Sequence, residues 1–193
     1  MTSLCEALRG VLLDRICHQG PIELSEADAG SRCAPVRLRA QTSFWAARLE
    51  DQHYLPILAE ISAERSLRKL PDYLIFGEPE EEPTRPNDVA LRVMICELKS
   101  SAGGAAAATR QIQLGKLLAE YLVRLAAYQQ GRADMPKIYP CGLIVSPGFP
   151  VSLRPKGSMR PGKVSYPHTH DKLSAMRVYE IPPGGEIHLE SFF

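Results

Sequence analysis

The stretch Val89-Ala-Leu-Arg-Val-Met-Ile-Cys-Glu-Leu-Lys99 decides how this chain is read. Every second residue from Val89 to Ile95 is large and apolar, so the segment reads as a strand with one face in a core. The same face turns charged at its end, at Glu97 and Lys99. Upstream, Pro71-Asp72 precedes a shorter apolar run ending at Phe76, which also reads as a strand. Antiparallel pairing of the two, with the acidic, proline-rich residues 77–88 as an exposed connection, sets Leu74 against Ile95 and Phe76 against Val93. Asp72 then falls opposite Glu97. A slip by one residue would turn Asp72 to the other face. The register that completes the core therefore also gathers two carboxylates and one ammonium.

Outward from this pair the remaining elements are coarser. Residues 3–17 read as a helix, with Leu4, Leu8, Val11, Leu12 and Ile16 near one face. Residues 19–35 read as loop, Val36 to Thr42 as a short strand, and Phe44 to Leu67 as a second helical pattern restarted at Pro56. A Gly/Ala stretch after Lys99 leads into a long helix over 106–130. Ile138 to Ser146 and Met176 to Ile181 read as strands, and 147–172 as a basic Pro/Gly-rich segment. This order predicts one α/β or α+β domain over residues 1–193.

At 193 residues and 45% hydrophobic content, the chain can bury one proper core. A net charge of +1 excludes a global cationic field, so any nucleic-acid contact must come from local patches. Five irregularly spaced cysteines without a CxxC pair argue against a zinc ribbon and a secreted disulfide framework. The charged N-terminal stretch (Glu6, Arg9, Asp14, Arg15) fits neither a signal peptide nor a membrane span. An intracellular protein of cytoplasm or nucleus, not secreted and without a membrane partner, is the expectation.

Adjacent carboxylates repel unless a cation sits between them. A hard divalent ion, Mg²⁺ or Mn²⁺, suits such a pair because it also keeps waters and substrate phosphate oxygens. It would acidify a bound water and offset charge on a phosphate under attack. Lys99 would orient that water or stabilise the developing charge.

With Pro71-Asp72 followed by Glu97-Leu98-Lys99, strands before and a long helix after, the chain resembles the PD-(D/E)xK nuclease superfamily over about residues 55–146. The resemblance implies a restriction-endonuclease-like core of mixed central sheet flanked by helices. It implies metal-dependent cleavage of DNA or RNA, with DNA favoured and endonuclease action expected. By position it makes Asp72, Glu97 and the Leu98 carbonyl metal ligands and Lys99 the catalytic lysine. It also implies a glutamine on the following helix, for which Gln111 projects with Leu114, Leu118, Leu122 and Leu125 on the apolar face, whereas Gln113 projects toward solvent. A glutamate from an earlier helix is the further ligand, and Glu64 has the better phase. Homodimerisation is compatible, because duplex cutting needs two sites.

Arg154, Lys156, Arg160 and Lys163 form a cationic stretch suited to nucleic-acid phosphates, or a solvated surface loop. The GxxxxGK spelled by residues 157–163 lacks the Ser or Thr and the helix of a phosphate loop. His168 and His170 have no second ligand pair. Trp45 reads as a core anchor. Two other classes compete with the nuclease. One is an inactive nuclease-fold module that binds nucleic acid or protein. The other is an interaction protein working through its acidic loop and basic segment.

Overall fold

The computed structural model describes residues 4–12, 17–26, 33–49, 70–78, 90–99, 105–132, 135–147, 168–171 and 175–193. Helix α1 (Leu4–Val11) is followed by four short strands, β1 (Cys17–Gln19), β2 (Ile22–Leu24), β3 (Val36–Arg39) and β4 (Phe44–Arg48). Next come β5 (Tyr73–Gly77), β6 (Ala90–Leu98) and the long helix α2 (Ala105–Gln129). Strands β7 (Lys137–Val145), β8 (His168–Asp171), β9 (Met176–Ile181) and β10 (Glu186–His188) follow, and a 3₁₀ turn (Leu189–Phe192) ends the chain.

Among the described residues seven strands form one mixed sheet in the order β1-β4-β5-β6-β7-β9-β8. The β5–β6 pair is antiparallel, with Leu74 opposite Ile95 and Phe76 opposite Val93 as the hydrophobic pattern requires. β6, α2 and β7 make a parallel crossover, the connection for which a helix supplies the necessary length. A smaller sheet, β10-β3-β2, stands apart.

Alternation along β6 divides the core in two. Leu91, Val93 and Ile95 pack with Leu4 and Leu8 of α1 and with Ala108, Ile112, Ala119 and Val123 of α2. Met94, Cys96 and Leu98 pack on the other face with Ile22, Leu24, Val36, Leu38, Ile187 and Phe192. The central sheet therefore lies between helices and the small sheet, and Glu97 shares the helix-facing side.

Several expectations are corrected. Phe44 to Arg48 is a strand where a helix was expected, and the rest of that stretch, 50–69, lies outside the described residues. Phe44, Trp45, Ala46 and Ala47 are all buried because both sheet faces are covered, so the apolar run carries no period-two signal. The Trp45 ring stacks on Phe76 at 4.7 Å, the core anchor its sequence context suggests.

The N-terminal helix ends at Val11, and the expected 19–35 loop contains β2. Three-residue strands are too short to show a period. Strand β8 likewise lies inside the expected 147–172 segment, and β10 with its 3₁₀ turn follows the strand expected to be last.

The phase of α2 is also rotated. Its closest line to the sheet is Ala108, Ile112, Gly115, Ala119, Val123 and Ala126, while Leu114, Leu118 and Leu125 are only half-buried on the flank. Small residues let the helix sit close, and leucines seal the edge. A Cβ added at Gly115 would lie 2.5 Å from Ile95 Cγ2 and 2.6 Å from Pro71 Cγ, with no flexible side-chain end to yield. Gly115→Ala is accordingly expected to destabilise the protein by about 1–3 kcal/mol in urea unfolding. An unchanged midpoint would refute this close approach.

Candidate functional site

Pro71 is buried against Gly115, and the Asp72 carbonyl accepts a 2.7 Å hydrogen bond from the Leu49 N–H. These contacts fix the chain just before β5. Extending the Tyr73–Cys96 register by one residue brings Asp72 opposite Glu97. Asp72 Oδ2 accepts a 2.6 Å hydrogen bond from the Leu98 N–H, so a side chain continues the ladder beyond the strand.

Glu97 is 2% exposed at the end of β6. Its Oε1 is ion-paired with Lys99 Nζ, which also donates to Gln111 Oε1 at 2.9 Å. Gln111 Nε2 in turn donates to the Leu70 carbonyl at 3.0 Å. An ammonium on one side and a carbonyl on the other settle which way the amide points. Gln111 thus ties α2 to the segment before Asp72 and fixes Lys99 between them. Asp72, Glu97, Lys99 and Gln111 come together at one corner, as their spacing suggested.

Glu97 Oε2 is buried and has no hydrogen-bond partner. Burial, and next the Asp72 charge, push the Glu97 carboxyl up to about 8 from its ordinary 4.5. The Lys99 ammonium and the Asp72 N–H oppose that shift without cancelling it. A buried carboxylate with an unused oxygen beside a second carboxylate is the condition that a divalent cation relieves. Asp72 and Glu97 therefore fit such an ion, as Mg²⁺ is commonly held by one or two carboxylates. Among the described residues no group of three or more His, Cys, Asp or Glu side chains gathers to hold a metal. Glu64, Arg154, Lys156, Arg160, Lys163 and the GxxxxGK stretch lie outside the described residues.

On the opposite face of β6, Cys96 is fully buried, and burial pushes its thiol well up, with Asp72 and Glu97 adding to the effect. Burial likewise raises the Cys141 thiol. Both behave as packing residues, not as nucleophiles.

Two positioning features escape the motif, namely Gly115 and the Leu70 carbonyl. A glycine inside an otherwise good helix costs about 1 kcal/mol relative to alanine, and that cost is the sequence signal for a close approach. The carbonyl leaves no sequence signal. Since Gln111 bonds both Lys99 and the Leu70 carbonyl, Gln111→Ala is expected to destabilise the protein by about 1–3 kcal/mol in urea unfolding, beyond Gln113→Ala. The reverse order would refute the tie given to Gln111.

No protein-family model, curated protein or solved structure matches this chain. Among the described residues no helix is long and apolar enough to cross a membrane.

Proposed function

We propose that this chain is a metal-dependent nuclease of the PD-(D/E)xK type, with a restriction-endonuclease-like core, that hydrolyses phosphodiester bonds of DNA or RNA. The observation that carries this reading is Glu97, 2% exposed, with an unpartnered Oε2 at the corner shared with Asp72. Asp72, Glu97 and the Leu98 carbonyl would hold the ion, with Glu64 as the further ligand the resemblance implies. Bound Mg²⁺ or Mn²⁺ would supply an acidified water and Lewis-acid stabilisation of the phosphate. Lys99, held by Glu97 and Gln111, directs its ammonium at charge developing on the attacked group. Arg154, Lys156, Arg160 and Lys163 supply the cationic stretch for the substrate backbone.

The test is incubation of labelled single- and double-stranded DNA and RNA with Mn²⁺, using wild type and Asp72→Ala, with EDTA as control. Metal-dependent cutting by wild type alone is the expected result and names the substrate. The Asp72 bond to the Leu98 N–H favours a second reading, in which the corner is structural and the module binds nucleic acid or protein without cutting. Binding without cleavage on every substrate would establish that second reading over the first.

A further inference from the structure

Lys99 is held more firmly than a lysine on an open surface. Its backbone N–H donates to the Val145 carbonyl at 2.9 Å, which continues the β6–β7 ladder through this residue. Its side chain is 20% exposed, and the ammonium pairs with Glu97 Oε1 and donates to Gln111 Oε1 at 2.9 Å. Gln111 is itself anchored to the Leu70 carbonyl. The cation therefore has a fixed place on one oxygen of Glu97. The other oxygen, Oε2, is buried without a hydrogen-bond partner.

Sites that hold two divalent ions set them about 3.5–4 Å apart. A carboxylate that bridges such a pair gives one oxygen to each ion. Glu97 already gives one of its two oxygens to an ammonium.

We infer that the Lys99 ammonium occupies the place of a second metal ion, so that the corner takes one divalent ion per chain, on Glu97 Oε2 and Asp72. This rests on the nuclease reading and specifies its metal site. Charge supports it. The two ionised carboxylates and the ammonium leave one net negative charge at the corner. One divalent ion converts that to one positive charge, and a second ion would leave three beside a side chain 2% exposed. The donors support it too, since among the described residues no group of three or more His, Cys, Asp or Glu side chains gathers to hold a metal. Asp72 Oδ2 is already engaged by the Leu98 N–H. Lys99 then supplies, on its side of the phosphate, the positive charge that a second ion supplies in two-metal sites.

Titration of the full chain with Mn²⁺, the free ion being counted by electron paramagnetic resonance, tests this without substrate. Wild type should bind one ion and Asp72→Ala none. Lys99→Gln keeps a hydrogen-bond donor without the charge and should bind Mn²⁺ about tenfold or more tightly than wild type. Lys99→Glu puts a carboxylate at the ammonium's place and should bind two ions, with the spectrum of an exchange-coupled pair. Two ions in a wild type that cuts would overturn the inference and leave the nuclease reading standing. No ion in wild type would overturn both. Lys99→Gln binding no more tightly than wild type, or Lys99→Glu binding a single ion, would remove Lys99 from the second ion's place.

Discussion

Glutamine in place of Glu97 is expected to stabilise the metal-free protein by about 2–5 kcal/mol near pH 8, and to leave it without cleavage activity. The carboxyl is pushed up to about 8 by burial first and by Asp72 second. Between its ordinary 4.5 and that value the folded protein holds a proton that the unfolded chain has released. Stability from this group is therefore complete below about pH 4.5. It declines by about 1.4 kcal/mol per unit as pH rises toward 8. Glutamine has no charge to bury and escapes the decline. Lys99 loses an ion partner in the exchange but keeps Gln111 and is 20% exposed, so its own penalty is smaller. Urea unfolding in EDTA at about pH 5 and about pH 8 measures the difference. Parallel curves for the two proteins would show that the buried carboxyl is not strained. Saturating Mn²⁺ should flatten the wild-type curve, since an ion bound at the corner removes the cost of ionising Glu97.

The second large effect separates chemistry from binding. Lys99→Ala is expected to lower cleavage by about 10²–10³-fold, the usual loss when one preorganised stabiliser of developing charge is removed. Its thermal stabilisation by Mn²⁺ should persist, because the two carboxylates remain. At a metal concentration of about 100 times Kd, binding is worth about 2.7 kcal/mol, or roughly 5–10 °C in a domain of this size. Asp72→Ala should lose both cleavage and the thermal shift. Undiminished cutting by Lys99→Ala would remove that residue from the mechanism. A full Mn²⁺ shift in Asp72→Ala would remove Asp72 from the metal site.

The site corner was legible because two independent signals agree there. Alternation along β6 fixes which residues face the helices, and matching Leu74 with Ile95 fixes the partner strand. Gln111 was legible as a polar interruption of a helix's apolar side, although the true buried line runs through Ile112 and Gly115. Helix projection weights large apolar residues, whereas close packing on a sheet selects small ones. Strand β4 was hidden for a related reason. Burial on both faces erases alternation, and Ala46-Ala47 read as helix formers until Trp45 is seen stacked on Phe76. Of the three-stranded sheet only β3 was legible, as the strand read from Val36; β2 and β10 are too short to show a period, and the parallel β3–β10 pairing joins residues far apart in sequence.

The direction of the β5–β6 pair has its own consequence. β5 leaves the Asp72 corner and β6 returns to it, so Glu78 and Ala90 sit at the opposite end of the strand pair, about 17 Å or more away. The connection they anchor begins GEPEEE and ends at Asp88, with Arg85 its lone cation. The two ends of that connection are thus fixed at the far end of the strand pair from Lys99, so a change in its length is taken up away from the corner.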